Sequence, residues 1–203
     1  MARTGRPRSF DRAQAVDQAM HVFWAHGYES ASLARLKDAM GGISSPSFYA
    51  AFGSKVALFE EVLRRYLSTH GQVMSRLYDP EAEPRAAVED ALRASARMQT
   101  DKAHPPGCLL TLAATTTPSD AAMPQKILSQ DRRNTRAGFT ACVARAVQRG
   151  ELPSDTDVAS MGLLLETFVR GLTLQARDGI SLRKLDAAID RLMAGWKQPR
   201  VRH

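Results

Sequence analysis

The chain has little of what secreted proteins and most enzymes are built around. Two cysteines among 203 residues, Cys108 and Cys142, cannot make a disulfide framework and read as reduced thiols, which points to the cytoplasm. No apolar run approaches the ~18 residues that a membrane-spanning helix needs, so no membrane partner is expected. "CLLTLAA" (108–114) is the longest greasy stretch. The basic start "MARTGRPRSF" has no apolar segment behind it and is not a secretory signal. A Gly-rich phosphate loop, a paired metal-ligand motif and a nucleophile elbow are all missing, since "GISSP" is not G-x-S-x-G. The histidines (His21, His26, His70, His104 and His203) are scattered. Neither catalysis nor a cofactor is therefore expected. Strand-like alternation, internal repeats and low-complexity tracts are also lacking.

What the chain does have is positive charge, +7 in all, and it is unevenly placed. Residues 1–55 hold seven Lys/Arg against four Asp/Glu, residues 56–179 hold fifteen of each, and residues 180–203 hold six against two. Excess at the two ends permits a polyanionic partner such as nucleic acid without establishing one.

Nearly every segment has helical spacing, so the fold class is all-α. Asp11 caps a first helix that sets Val16, Met20, Phe23 and Trp24 on one face and stops at Gly27. A short second helix follows Ser30 or Ser32, and Gly41-Gly42 breaks it. A short third helix begins near Ser44, with Pro46 in its first turn, and ends at Gly53. Ser54 caps a fourth that runs from about residue 55 towards 78. "DPEAEP" (79–84) is a polar link, so the expected division is an N-terminal domain over 1–55, the connecting helix, and a second domain over 80–203. Helices are expected there over 85–100, 108–114, about 121–148, from Asp155 on, and after the "RDGIS" turn.

Two short helices about a glycine turn, after a longer one, make a helix-turn-helix, whose second short helix enters a DNA major groove. Phe48 and Phe52, four apart, would pin that helix to Val16, Phe23 and Leu36. Ser45, Pro46, Ser47, Tyr49 and Ala50 are left facing outward or along the edge. Small hydroxyls reach base edges and phosphates, Pro or Ala can touch a thymine methyl, and Tyr49 can give its hydroxyl to a phosphate. Ser54 and Lys55 open the next helix, where free N–H groups already favour an anion. Ser32 and Ser44, which open the two short helices, complete this candidate set.

"GYESASLARLKDAMGGISSPSFYAAFGSKVALFEEVLRRY" resembles the N-terminal DNA-binding domain of TetR/AcrR-type transcriptional regulators, and the similarity runs over residues 9–67. It implies some nine helices, a homodimer on a palindromic double-stranded DNA operator, and a small-molecule effector bound in the C-terminal bundle. It also implies that Tyr49 and Lys55 hold phosphates while Ser45, Pro46 and Ala50 lie near bases. The chain departs from the pattern with two glycines in the turn and Ala50-Ala51 where longer side chains are common. Bidentate Arg or Asn donors, each worth ~1–3 kcal/mol of base discrimination, are thus missing from the recognition helix. The arm "GRPR" with Arg3, Arg6 and Arg8 is the expected supplement, reaching into a narrow minor groove.

In the second half, Val158, Met161, Leu165, Phe168 and Leu172 step by 3-4 spacing, as do Leu185, Ile189, Leu192 and Trp196. Such seams suit antiparallel packing, either within their own core or between subunits. The resemblance places the dimer interface on the last two helices, so Val158, Met161, Leu165, Leu172, Leu185, Ile189, Leu192 and Trp196 are its expected residues. Met98, Cys108, Leu112, Met123, Phe139, Cys142, Met161 and Phe168 are the candidate lining of an effector pocket, and each also suits an ordinary core. The leading reading is a DNA-binding repressor released by its effector. The alternatives are an architectural or weakly specific DNA binder, and a thiol- or metal-responsive regulator acting through Cys108 and Cys142.

Overall fold

The computed structural model describes residues 11–196. Side-chain caps fix where the first helices begin. Asp11 accepts from the Gln14 N–H at 3.0 Å, Ser32 from Arg35 at 3.2 Å, Ser44 from Ser47 at 3.2 Å and Ser54 from Ala57 at 3.0 Å. Each such cap is worth about 1 kcal/mol, enough to decide the start of helices this short. They open α1 (Arg12–Ser30), α2 (Leu33–Ala39), α3 (Ser45–Phe52) and α4 (Lys55–Ser68). After a 3-10 segment (His70–Tyr78) come α5 (Pro84–Thr100), α6 (Leu109–Thr116), α7 (Ala122–Gln148), α8 (Val158–Arg177) and α9 (Leu182–Ala194). Among the described residues there is no strand, and the chain is all-α.

Several boundaries differ from expectation: α6 runs to Thr116 rather than 114, α8 begins at Val158 rather than Asp155, and two differences in the N-terminal half have a visible cause. Gly27, at φ +76°, interrupts α1 as anticipated, but one more turn follows through Ser30. The fourth helix ends at Ser68 rather than continuing towards Tyr78. There the hydroxyls of Ser68 and Thr69 capture the Arg65 carbonyl at 2.9 and 2.8 Å, and the Gln72 amide takes that of Leu67. Side chains competing for backbone carbonyls end an α-helix, and the tighter 3-10 turn follows.

The helices bury two apolar cores. The first gathers Val16, Phe23, Trp24, Leu36, Phe48, Phe52, Phe59 and Tyr66 from α1–α4, and with them Leu109, Leu110 and Ala113 of α6. The polar link at 79–84 is therefore not a packing boundary, because α6 comes back to α1. The second core is built from α5, α7, α8 and α9.

That second core answers the question of the seams. Leu165, Leu172, Leu185, Ile189 and Trp196 are buried inside the subunit, with Val158, Met161 and Leu192 packed against the same core. Within the subunit these seams hold α8 and α9 to α5 and α7, and Val158, Met161 and Leu192 remain partly exposed. The physical reason is that α7, at 27 residues, already supplies α8 with a full-length partner. The face of α8 left exposed carries Leu163, Leu164 and Leu174.

Candidate nucleic-acid interface and C-terminal cavities

The helix-turn-helix is tied together from beneath. Phe48 and Phe52 are buried in the same core as Val16, Phe23 and Leu36, and they fix α3 on its inner side. The turn before it needs two consecutive left-handed residues, Gly41 (φ +84°) and Gly42 (φ +74°), whose N–H groups return to the carbonyls of Asp38 and Lys37. Side chains with a Cβ rarely adopt that conformation, so the doubled glycine is a requirement of this turn.

Outside, α3 presents Ser45, Pro46, Ser47, Tyr49 and Ala50 to solvent, with Tyr49 51% exposed. Ser32, Ser44 and Ser54 are exposed too, but their hydroxyls serve as caps, and Ser44 also meets Ser47 Oγ at 2.9 Å. Cations frame this face. Lys37 Nζ donates to Ser45 Oγ at 2.8 Å, at the positive end of α3. Arg35 lies 3.2 Å from the His26 ring nitrogen. Lys55 sits over the Tyr28 ring at 4.4 Å and donates to the Glu29 carbonyl at 3.3 Å, and its burial lowers its pKa. No acidic residue occurs in α3. Sequence reasoning named Lys55 but missed Lys37, because its contact with Ser45 joins residues of two different helices and no local pattern records it. Arg3, Arg6 and Arg8 lie outside the described residues.

The helix-turn-helix unit is clamped to the rest at both ends of α6. Trp24 Nε1 donates to the Gly107 carbonyl at 3.1 Å, and the Tyr28 N–H points to Thr116 Oγ1 at 3.5 Å. A Cβ on Gly27 would stand 3.1 Å from that same Thr116 oxygen.

In the C-terminal half a groove of about 1030 Å³ opens between the 3-10 segment, α4 and α7, with walls that include Leu67, Met74, Leu77, Tyr78, Met123 and Ile127. Gly71, Met74 and Asp131 also belong to the wall of a second, inner cavity of about 40 Å³. Of the residues expected to line a pocket, Met123 faces the groove, while Met98 and Cys108 face the inner cavity. Leu112 packs on the first core, and Phe139, Cys142, Met161 and Phe168 belong to the second. They line neither space, and the Cys142 thiol meets the Leu77 carbonyl of the 3-10 segment. Asp131 and Arg170 were not anticipated, since their burial follows from helix packing and not from any local pattern. Burial raises the pKa of Asp131, against the opposing pull of Arg170 and Arg132. Glu166, 3% exposed, joins Arg136 Nε at 2.5 Å and Arg170 Nε at 2.9 Å.

The two thiols lie in separate surroundings. Cys108 touches the Tyr66 hydroxyl, whereas Cys142 contacts the Leu77 carbonyl and Arg145, and its burial raises its pKa. Among the described residues no three His, Cys, Asp or Glu side chains are grouped as a metal site would require. Nor is any described helix long and apolar enough to cross a membrane.

Comparison with known proteins adds the following. Residues 15–62 match the model for bacterial regulatory proteins of the tetR family, and residues 82–196 match the tetracyclin repressor-like C-terminal domain. The chain is 35% identical over 182 residues to the HTH-type transcriptional repressor ComR of Escherichia coli (strain K12), covering 89% of this chain and 86% of that protein. It is 28% identical to the HTH-type transcriptional repressor BdcR of the same strain over 184 residues, covering 90% and 87%. A cysteine mutant of the TetR family transcriptional regulator CifR, solved with a 26 bp double-strand operator DNA, superposes with a TM-score of 0.83. That structure is 39% identical, and the match covers 94% of this chain and all of that one.

Proposed function

The chain belongs to the TetR family of bacterial regulatory proteins, and from that membership we propose that it is a repressor gripping a palindromic operator as a homodimer until a small molecule enters its C-terminal domain. That it is a DNA-binding transcriptional regulator and not an enzyme follows from the family and its relatives. The observation that carries the finer reading is the exposed edge 44–50 at the start of α3, held from below by two buried phenylalanines, with Lys37 bonded to Ser45 and Lys55 opening the next helix.

In this reading Ser45, Ser47, Pro46 and Ala50 meet base edges, and Tyr49, Lys55 and Lys37 meet phosphates. Arg3, Arg6 and Arg8 follow the chain into the minor groove. Ser32, Ser44 and Ser54 contribute mainly as caps that present helix N-termini to the backbone. A second copy docks on the exposed leucines of α8, which water would otherwise cover at a cost in free energy. Two copies then set the recognition helices one helical turn apart, ~34–36 Å. The groove beside α7 takes the effector, and Met123, Met98 and Cys108 are the anticipated residues that reach it or the cavity behind it.

Selecting bound duplexes from a random pool tests this. A palindrome with two half-sites is the expected outcome, and compounds are then screened for its release. The donor-poor face of α3 favours a second reading, a weakly specific binder, which predicts that no palindrome emerges. Salt dependence does not separate the two, because phosphate contacts dominate both.

A further inference from the structure

The inner cavity is chemically lopsided. On one wall the Tyr66 hydroxyl donates to Cys108 Sγ at 3.4 Å and Met98 Sδ at 3.7 Å, two weak acceptors. Burial raises the Tyr66 pKa well above its ordinary value, so the hydroxyl keeps its proton and remains a donor. On another wall lies Arg170. Its Nε is bound to Glu166 at 2.9 Å and its Nη1 to Thr111 Oγ1 at 3.4 Å, but its Nη2 is buried without a hydrogen bond. Asp131 Oδ2 stands 3.8 Å from that nitrogen, too far for one. Two donors thus share the wall of one cavity, one meeting only sulfur and the other only a carboxylate beyond hydrogen-bond reach.

Charge decides which oxygen suits them. Arg170 already has Glu166 and Asp131 beside it, and Glu166 is shared with Arg136. A carboxylate head would bring a third anion into this group, and an ammonium would confront Arg170 and the Tyr66 proton. A neutral C=O has two lone pairs, adds no charge, and is compact. Compactness matters, since the inner cavity of about 40 Å³ is a small fraction of the groove of about 1030 Å³. The apolar remainder of such a molecule can lie in the groove of about 1030 Å³, which shares Gly71, Met74 and Asp131 with the cavity.

Taking the groove as the effector's site, as above, we propose that the effector is an apolar molecule bearing a neutral carbonyl oxygen, and that this oxygen docks between Tyr66 and Arg170. Its arrival is felt at once by the DNA-binding half. The Tyr66 ring meets Trp24 edge-on at 5.0 Å, inside the first core.

The test compares 2-octanone, octanoate and octylammonium on the full chain without DNA, reading tryptophan fluorescence and melting temperature. The ketone is expected to bind at least ~10-fold more tightly than either charged analogue, because a buried charge without a fresh partner is costly. Tyr66→Phe, which keeps the ring, should weaken the ketone ~3–10-fold and leave octylammonium unchanged. Arg170→Met should act likewise; if circular dichroism finds it unfolded, Tyr66→Phe decides. Tighter binding of either ion, no binding of the ketone, or full ketone affinity in Tyr66→Phe would overturn the proposal. Operator retention is measured in parallel. A ketone that binds as expected but leaves the operator held preserves the head-group assignment and removes the groove's role in release.

Discussion

Phe48 and Tyr49 are consecutive aromatics with opposite fates, and replacing each by alanine separates fold from function. Phe48 is fully buried among Val16, Phe23 and Leu36. Its truncation removes the whole ring from a packed core and costs ~3–5 kcal/mol. For a chain this long each kcal/mol lowers the melting temperature by ~2–4 °C, so a fall of about 10 °C is expected. Tyr49 is 51% exposed, and its ring packs at 89° against the edge of Phe48. Losing it should change stability by no more than ~0.5 kcal/mol. Its cost should appear on DNA. One hydrogen bond to a phosphate per subunit, at ~1 kcal/mol, gives ~2 kcal/mol for a dimer, or ~30-fold in affinity. Because tyrosine is uncharged, the slope of log affinity against log salt should not move. Lys55→Ala, by contrast, should flatten that slope by ~2 per dimer, at ~0.9 per neutralised phosphate. Melting curves and gel retardation at several salt concentrations measure all of this. Intact operator retention in Tyr49→Ala together with Lys55→Ala would refute the placement of α3 in the groove.

Three further outcomes are expected. Gly27→Ala should destabilise by ~1–3 kcal/mol, because φ is +76° and the new Cβ meets Thr116 Oγ1 at 3.1 Å. Adding Thr116→Ala should restore only the contact part, as a double-mutant cycle in urea would measure. Asp131 has a folded-state pKa raised by burial, so the native state holds its proton more tightly than the unfolded chain does. Stability therefore falls as pH rises from about 3.8 through the folded value, and Asp131→Asn should raise the melting temperature at pH 7 but not below pH 4. A reversed or pH-independent difference would contradict that sign. Leu164→Glu with Leu174→Glu, both on the exposed face of α8, should give a folded monomer in sedimentation and abolish operator binding.

How much could be read without the structure depended on how local the determining interactions are. Helix starts were legible because a serine and the N–H three residues on settle them. Asp11, Ser32, Ser44 and Ser54 all cap as their positions suggest. The end of α4 was not, because Ser68, Thr69 and Gln72 compete for carbonyls in a way that spacing does not record. The 3-4 seams of α8 and α9 correctly signalled burial but could not say by what. Spacing reports which face is apolar, and α7 and α5 turned out to cover it, leaving Leu163, Leu164 and Leu174 outside. Lys55 was visible as the first residue of α4, whereas the bond from Lys37 to Ser45 joins two helices across the turn and is not written in any local pattern. The cavity wall was least legible. Asp131, Glu166 and Arg170 come from two helices, and only packing brings their charges into one group.

The packing of α6 has a further consequence for how the two halves can respond to each other. By chain order α6 belongs with the C-terminal helices, and its first turn and the residue before it, Cys108, Leu110 and Thr111, line the inner cavity. By burial it belongs with α1, to which it is fastened at the Gly107 carbonyl and again at Thr116. A rigid helix of 8 residues held at both ends cannot shift at one without carrying strain to the other. The far anchor is Tyr28, and the ring of Tyr28 is what Lys55 rests on. A displacement of Cys108 or Thr111 from within would load three contacts, the Trp24 bond to Gly107, the 3.5 Å approach of the Tyr28 N–H to Thr116, and through Tyr28 the ring under Lys55. Thr116→Ala alone should loosen this connection while leaving the exposed face of α3, and with it the operator affinity measured without effector, unchanged.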